Sequence, residues 1–175
     1  MGTFRTLVKK ILLNEIVLAI IFALLLKAYV MDSRYVPSSS MHPTLQIKDR
    51  LLVNKLSYKF GEMQRGDIII FEPPPSVDSQ YDYVKRLIAM PGDIVEVTNG
   101  VLYINGEAVQ EDYINELPNY EYPPTQVPAD SLFVLGDNRN YSYDSHLWLD
   151  WLSLDDVKGK VFFRYWPLDR IGRIE

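Results

Sequence analysis

The chain divides into an apolar stretch near its N-terminus and a longer part in which short apolar runs alternate with polar turns. Residues 11–31 are apolar except for Asn14, Glu15 and Lys27, and the run from Ile16 to Leu26 is uninterrupted. That run is about half of the ~20 residues that a spanning helix needs, whereas the whole stretch reaches this length. Glu15 and Lys27 lie near its ends, where long side chains can extend to a membrane surface. We therefore expect a membrane-spanning helix over residues 11–31.

Two other interpretations of this stretch are weaker. A cleaved signal peptide needs small residues at its cleavage site, and Ala28-Tyr29-Val30 is a poor one. A core helix of a soluble protein has a polar face, whereas this stretch is apolar around its circumference. Basic residues before the stretch favour a cytoplasmic N-terminus and an exported C-terminal domain. The predicted organisation is a cytoplasmic N-terminus (1–10), a transmembrane anchor (11–31) and an extracytoplasmic domain (32–175).

The pattern beyond residue 49 is mostly that of β-strands. Asn99-Gly100 between two apolar runs predicts a tight hairpin, and Asn105-Gly106 predicts a second turn. The segment 112–130, rich in proline, predicts a long irregular excursion, and 152–157 predicts one helical turn. Many short strands between such turns indicate a mainly β, antiparallel and partly barrel-like fold. The predicted strands cover residues 50–56, 67–71, 81–90, 94–98, 101–104, 131–135 and 161–166.

Composition excludes several kinds of chemistry. The 175 residues include no cysteine, which excludes disulfides, a thiol nucleophile and thiolate metal ligands. The two histidines, His42 and His146, do not have the spacing of a metal site, so we predict no metal and no other cofactor. The net charge of −5, without a basic stripe, argues against nucleic acid as a partner.

The segment Pro37 to Leu45 is the first candidate for chemistry, because it places three serines between two prolines directly after the apolar stretch. Prolines restrict the backbone, so the segment is predicted to be a rigid loop that can hold a serine at a fixed angle. A polar linker that leaves a membrane helix has the same composition, and the segment alone does not separate the two interpretations.

A serine nucleophile needs a base, and two arrangements are open. One is a Ser-His-Asp arrangement of Ser40, His146 and Asp144. The other uses Lys85, which lies between Tyr83 and Leu87 on one predicted strand face, while Arg86 points to the other face, where it can pair with an acid outside. Burial can lower the pKa of a lysine enough to make it a base. An edge-strand lysine that prevents aggregation is the structural alternative.

Three motifs occur in a fixed order along the chain, and together they resemble bacterial type I signal peptidase. They are Ser40 to Leu45 followed by Asp49, then Tyr83 to Arg86 with Pro91-Gly92-Asp93, then Gly136 to Arg139 with Ser142 and Asp144-Ser145. The resemblance covers nearly the whole chain from residue 11 onward. His146 stands where many relatives have arginine, which is similar to the cyanobacterial and plastid branch.

The resemblance implies a membrane-bound serine endopeptidase that removes signal peptides from exported preproteins with a Ser/Lys dyad. Ser40 resembles the nucleophile, and Lys85 resembles the general base. The Ser40 N–H and the Ser38 hydroxyl resemble the oxyanion hole. The implied partners are the signal peptides of secretory preproteins and membrane lipid, and the implied location is the plasma or thylakoid membrane with a single membrane pass.

Further residues resemble supports of this site. Ser142 resembles the hydroxyl that orients the lysine, and Arg86 with Asp137 resembles a supporting ion pair. Asp144 and His146 resemble a second support. Met41 is expected to pack beside the nucleophile as a pocket wall, Asp49 matches a motif without an evident role, and His42 is expected to be exposed.

One loop departs from the family pattern. Leu147 to Ser153 lacks the aromatic-glycine pair and the proline that relatives have before the last strand, so the family pattern does not predict the shape of this loop or its substrate contacts. Trp148 and Trp151 are open to two interpretations, an interfacial membrane patch and ordinary packing, and ordinary packing is favoured. The departure keeps an alternative function open, namely a catalytically altered paralogue that acts as a membrane-tethered module and binds a partner through Tyr113 to Tyr122. A self-cleaving repressor-type peptidase shares the dyad, but the apolar N-terminus argues against it.

Overall fold

The computed structural model describes the backbone of residues 2–174 and the side chains from residue 14 to 174. A helix, α1 (Gly2–Leu25), continues through a π-helical turn (Leu26–Val30) into the β part of the chain. A short helix, α2 (Ser57–Phe60), and three 3-10 turns (Arg139–Tyr141, Leu154–Asp156 and Leu168–Arg170) lie between strands. The strands are β1 (Met31–Tyr35), β2 (Arg50–Asn54), β3 (Ile68–Phe71), β4 (Tyr83–Ala89), β5 (Ile94–Thr98), β6 (Val101–Ile104), β7 (Glu107–Ala108), β8 (Tyr122–Gln126), β9 (Ser131–Leu135), β10 (Leu152–Ser153), β11 (Val157–Trp166) and β12 (Gly172–Arg173).

The N-terminal helix exposes the apolar side chains of its second half. Large hydrophobic residues from Ile16 to Leu25 are about half exposed, including Ile20 at 54% and Phe22 at 63%. Among the described residues, no helix has the length and hydropathy that a bilayer crossing requires. The predicted basic N-terminus, residues 1–10, lies outside the part of the chain whose side chains are described.

All strand pairs are antiparallel, and they form two sheets in the described part of the chain. The larger sheet has the order β1-β2-β11-β3-β4-β9-β10, and β12 pairs with β11. The late strand β11 is inserted between β2 and β3, and β4 lies between β3 and β9 in the middle of the sheet. The prediction of a mainly antiparallel β fold is therefore confirmed, while strand pairing among the described residues does not close this sheet into a complete barrel.

The smaller sheet has the order β7-β6-β5-β8. Asn99 and Gly100 have φ values of 51° and 77°, the left-handed backbone that a two-residue type I′ hairpin requires. Asn105 and Gly106 repeat this geometry with φ values of 54° and 81°. Both predicted turns are confirmed, because asparagine and glycine adopt positive φ at little cost.

Several elements differ from the sequence prediction, and the larger differences are in β1, β8 and β11. Strand β1 was not predicted, because its residues Met31–Tyr35 directly follow the apolar stretch and include three polar side chains. Strand β8 lies inside the predicted irregular excursion, where its two prolines concealed it and where it pairs with β5 at the edge of the small sheet. Strand β11 begins at Val157 rather than 161, and the predicted helical turn is confined to Leu154–Asp156.

The core beneath the first sheet holds the segment that connects β1 and β2. Val36, Met41 and Leu45 are each at most 1% exposed and pack with the strand residues Leu51 and Val53. Burying such side chains stabilises a fold by about 2 kcal/mol each. The serines between these anchors are therefore held over a packed core rather than on a free linker.

Candidate active site

A cleft of about 810 Å³ lies between the segment after β1 and the start of β4. Ser38 and Ser40 line it from one side, and Lys85 lines it from the other. The structure therefore brings together the three residues that the sequence places at the centre of the chemistry, although Ser40 and Lys85 are separated by more than forty positions. Tyrosines contribute much of the remaining lining, namely Tyr35, Tyr81, Tyr83, Tyr141 and Tyr143.

The nucleophile loop, residues 37–45, is held by hydrogen bonds from the turn that follows β9. The Asn138 N–H donates to the Ser40 carbonyl at 3.0 Å, and the Asn138 side-chain amide donates to the Ser39 carbonyl at 3.1 Å. The hydroxyls of Ser38 and Ser40 are 3.4 Å apart. Among the described residues no acceptor takes the Ser40 N–H, so this donor and the Ser38 hydroxyl are available to a ligand in the cleft.

Lys85 is buried at the centre of the larger sheet, with 3% of its surface exposed. Its ammonium donates to the Ser142 hydroxyl at 2.9 Å and lies 5.8 Å from the centre of the Tyr83 ring. Burial lowers the pKa of Lys85 to about 8, and the carboxylates of Asp144 and Asp137 oppose part of that shift. The edge-strand interpretation of Lys85 is wrong, because β4 pairs on both sides. Within the described residues Lys85 makes no hydrogen bond to Ser40.

Arg86 and Asp137 form a buried ion pair next to the lysine. Two guanidinium nitrogens donate to the two Asp137 oxygens at 2.8 Å, and both side chains are at most 3% exposed. The Thr44 hydroxyl also donates to Asp137, which joins the nucleophile loop to this pair. The expectation that Arg86 pairs outside the core is wrong, because both faces of β4 are covered at this point.

Asp144 and His146 form a second buried pair. Asp144 accepts the Gly136 N–H at 2.8 Å and lies 2.6 Å from His146 Nδ1. The His146 ring stacks on Tyr120 and is not part of the cleft lining, and no contact among the described residues joins it to Ser40. The structure therefore does not assemble the alternative arrangement of Ser40, His146 and Asp144.

Gly136 allows the two halves of the site to approach each other. A Cβ at this position would lie closer than 3.0 Å to the Ser142 hydroxyl and to the Ser40 carbonyl, nearer than real Cβ atoms come. Glycine at the end of β9 is therefore what lets the nucleophile loop and the lysine partner lie side by side.

The role of Asp49 is visible only in the structure. Its carboxylate is 1% exposed, accepts the Gln46 N–H at 2.9 Å and pairs with Arg170 at 2.9 Å and with Arg164 at 3.5 Å. Both arginines also donate to the Thr44 carbonyl. Asp49 thus links the end of the nucleophile loop to the C-terminal part of the chain. An unexplained motif aspartate was the only sequence signal of this link, because the arginines lie more than 110 positions away.

Three further residues near the motifs, Met41, His42 and Trp148, also have predicted environments that can be compared with the structure. Met41 lies in the core and does not line the cleft, so its predicted role as a pocket wall is wrong. His42 is half-buried rather than exposed, with Nδ1 3.2 Å from the Asn115 amide. Trp148 is 9% exposed and packs on Phe71, which confirms ordinary packing for this residue of the atypical loop.

The irregular excursion packs against the site instead of projecting from it. Tyr113 lies on Arg86, Tyr120 stacks on His146, and Tyr122 packs on Phe133. These rings are partly buried in the chain itself.

A serine hydroxyl in a cleft, two available donors beside it and a buried lysine of lowered pKa can together perform acyl transfer. The lysine supplies a base at near-neutral pH, and the donors can stabilise an oxyanion. The arrangement defines a class, the serine hydrolases that use a lysine in place of a histidine.

Comparison with known proteins identifies the family of the chain. Residues 9–166 match the family described as signal peptidase, peptidase S26, and the chain belongs to this family.

Several relatives are similar over nearly the whole chain. Signal peptidase I of Leptolyngbya laminosa is 43% identical over 93% of this chain and 82% of its own length. Probable signal peptidase I-2 of Synechocystis sp. is 45% identical over 91% of this chain and 74% of its own length. Thylakoidal processing peptidase 1 of Arabidopsis thaliana is 38% identical over 88% of this chain and 47% of its own length. The predicted resemblance to type I signal peptidases of the cyanobacterial and plastid branch is confirmed.

A crystal structure of a signal peptidase I from Enterococcus faecalis is 34% identical, with a TM-score of 0.49, over 57% of this chain and 96% of that chain.

Proposed function

We propose that Ser40 and Lys85 form the catalytic dyad with which this type I signal peptidase removes signal peptides from preproteins. The observation that carries the proposal is a buried lysine, with its pKa lowered to about 8, in the same cleft as the loop serine. A lysine with an ordinary pKa near 10.4 stays protonated at neutral pH and cannot take a proton.

The reaction follows from these groups. Neutral Lys85 takes the proton of the Ser40 hydroxyl while the oxygen attacks the scissile carbonyl of the preprotein. The tetrahedral intermediate collapses to an ester between Ser40 and the signal peptide, and Lys85 returns the proton to the departing amine. Water then attacks the ester, gives its proton to Lys85, and the signal peptide leaves as a carboxylic acid while Ser40 recovers its proton.

The oxyanion of both tetrahedral intermediates is assigned to the Ser40 N–H and the Ser38 hydroxyl. The Ser40 N–H has no acceptor in the described part of the chain, and the two serine hydroxyls are 3.4 Å apart. One such donor typically contributes about 3 kcal/mol to transition-state stabilisation. Ser142 holds the Lys85 ammonium at 2.9 Å, and catalytic hydrogen bonds in empty sites often tighten only when substrate binds.

Substitution of the dyad tests this proposal. Ser40→Ala and Lys85→Met should each abolish cleavage of a preprotein, because each removes a group that the chemistry requires. Cleavage is measured by the mature product on a gel, with folding checked by circular dichroism. His146→Ala is the comparison variant and should keep substantial activity at alkaline pH, because this ring lies outside the cleft and reaches Lys85 only through Asp144.

The same experiment separates the alternatives. Near-normal turnover by Ser40→Ala or Lys85→Met would refute the dyad, and complete loss in His146→Ala alone would restore the Ser-His-Asp arrangement. An intact chain that neither cleaves preproteins nor reacts at Ser40 with an acylating serine-peptidase inhibitor would instead support the binding-module alternative.

We also propose that α1 anchors the chain as a single membrane pass with a cytoplasmic N-terminus, so that the site faces the exported side. The support is the row of exposed apolar side chains on α1, among them Ile20 and Phe22. The double variant Ile20→Lys/Phe22→Lys should lose flotation with phosphatidylglycerol-containing vesicles, because each central charge costs about 3 kcal/mol in a membrane. Leu149→Lys, at a site 90% exposed and far along the chain, is the matched control. Undiminished flotation of the double variant would contradict the anchor.

A further inference from the structure

Two tyrosine rings from the segment between β7 and β8 lie against Arg86 and His146, the two side chains that pair with the buried carboxylates. The Arg86 guanidinium carbon is 3.9 Å from the centre of the Tyr113 ring. The rings of His146 and Tyr120 are 4.0 Å apart with an interplanar angle of 8°. Asp137 and Asp144 therefore each pair with a side chain that has an aromatic ring against it.

The segment is tied to the site at several further points. Glu111 pairs with both guanidinium nitrogens of Arg139 at 2.5 and 2.6 Å, and both side chains are at most 5% exposed. The Tyr113 hydroxyl donates to Glu111, and Asn115 contacts His42 of the nucleophile loop. Residues 111–120 therefore contact the nucleophile loop, the lysine strand and the turn after β9.

The rings limit how Arg86 and His146 can move. Tyr113 lies against the Arg86 guanidinium and Tyr120 is stacked on the His146 imidazole, so each ring hinders its partner from leaving the carboxylate with which that partner pairs. The buried hydroxyl of Tyr120 has no hydrogen-bond partner among the described residues, so Tyr120 meets His146 through its ring face alone.

We propose that Tyr113 and Tyr120 are positioning residues of the peptidase, which hold Arg86 on Asp137 and His146 on Asp144. The proposal rests on the proposed Ser40–Lys85 dyad. Neither ring lines the cleft, so both residues act through the pairs and not on the substrate.

The consequence for the lysine has a definite sign. The carboxylates of Asp144 and Asp137 are the charges that raise the pKa of Lys85 against the effect of burial. Arg86 and His146 face these carboxylates, Ser142 and the Tyr83 ring face the ammonium, and the adjacent strand β3 contributes only apolar side chains. When the Arg86 guanidinium moves away from Asp137, or His146 no longer hydrogen-bonds to Asp144, the negative charge near Lys85 is less compensated, and the lysine is harder to deprotonate.

The test compares stacking and non-stacking side chains in the full-length chain. Tyr113→Leu and Tyr120→Leu should lower kcat/KM about tenfold below pH 8 and move its acid limb up by about one pH unit, with KM little changed. Tyr113→Phe and Tyr120→Phe keep the ring face and should restore the wild-type limb. Tyr122→Leu is the matched control, because Tyr122 belongs to the same excursion but packs on Phe133, with ring centres 5.1 Å apart, away from both pairs.

Each outcome decides the proposal. An acid limb that stays in place in folded leucine variants would overturn it, as would an equal shift in Tyr122→Leu or a failure of the phenylalanine variants to restore the limb. If Tyr113→Leu does not fold, Tyr113→Met keeps more of the volume without a ring face, and unfolding of both would show a structural role only. Activity in Ser40→Ala would refute the dyad itself, an outcome distinct from any of these.

Discussion

At the scale of single residues, the candidate site depends on how closely the backbone at Gly136 approaches the nucleophile loop. Gly136 lies between the Ser40 carbonyl and the Ser142 hydroxyl, and no side chain fits there. Ser142 in turn holds the lysine. One missing Cβ therefore sets the distance between the nucleophile loop and the group that orients the base.

Gly136→Ala should abolish most activity and lower stability. The added methyl group has to displace backbone or Ser142, and such overpacking typically costs about 1–3 kcal/mol. Gly172→Ala is the matched control, because a Cβ at that position meets nothing within 4 Å. Thermal unfolding and preprotein cleavage measure the two effects. Equal behaviour of the two alanine variants would show that the close approach is not needed.

The lowered pKa of Lys85 predicts how activity depends on pH. Because the base must be neutral, kcat/KM should rise about tenfold per pH unit below about pH 8 and level off above it. The profile is measured with a preprotein or a signal-sequence peptide between pH 6 and about pH 10. A profile that is flat across pH 8, or that falls there, would show that Lys85 is not the titrating base.

The same shift predicts a dependence of stability on pH. Between about 8 and 10.5 the unfolded chain binds the Lys85 proton and the folded chain does not, so the free energy of unfolding rises with pH in this window. Lys85→Met lacks this contribution. Urea unfolding should therefore show that the free energy of unfolding of the wild type rises relative to that of Lys85→Met as the pH rises through this window. A difference between the two free energies that does not change with pH would contradict the argument that burial lowers the pKa of Lys85.

At the scale of elements, the serines of the candidate site lie on a loop, and contacts with the core and with strand β11 fix the position of that loop. The nucleophile loop is anchored in the core at both ends by Val36 and Leu45. Its last turn is fastened by Asp49 to Arg164 of β11 and to Arg170. The loop is therefore positioned by β11 as much as by the strands that flank it.

Asp49→Ala should destabilise the fold strongly. It leaves the guanidiniums of Arg164 and Arg170 without their buried carboxylate, and breaking a buried pair on one side typically costs about 3–5 kcal/mol. Glu72→Ala is the comparison, because the exposed pair of Glu72 with Lys158 should contribute at most about 1 kcal/mol. Urea unfolding measures both changes. A loss of less than about 1 kcal/mol in Asp49→Ala would contradict this role.

The sequence was informative where a local pattern determines structure. Asn99-Gly100 specifies its own turn, and the alternation around Lys85 left an inward lysine open as one of two interpretations, which is the one that the structure shows. Patterning failed where partners are remote: the place of Asp49 depends on arginines at the other end of the chain. Strand β8 was missed because its prolines argue against a strand unless it lies at a sheet edge, and only the tertiary pairing shows that it does.

At the scale of the whole molecule, the described β part consists of two antiparallel sheets. The strands of the smaller sheet follow β4 and precede β9 along the chain, whereas β4 and β9 themselves are neighbours in the larger sheet. The candidate site lies where the nucleophile loop, strand β4 and the turn after β9 meet. These three segments come from different thirds of the chain. The smaller sheet contributes no cleft lining, yet the excursion around β8 carries the tyrosines that lie against Arg86 and His146.

Because β11 lies between β2 and β3, the larger sheet can be completed only late in the synthesis of the chain. A ribosome makes Ser40 and Lys85 long before it makes residues 157–166, and until then the facing edges of β2 and β3 have no partner. Open edges of this kind are templates for aggregation, and non-local pairing of this kind is slow. A nascent chain therefore carries both members of the proposed dyad without a finished sheet. We expect proteolytic capacity to arise only when the late strand closes the gap.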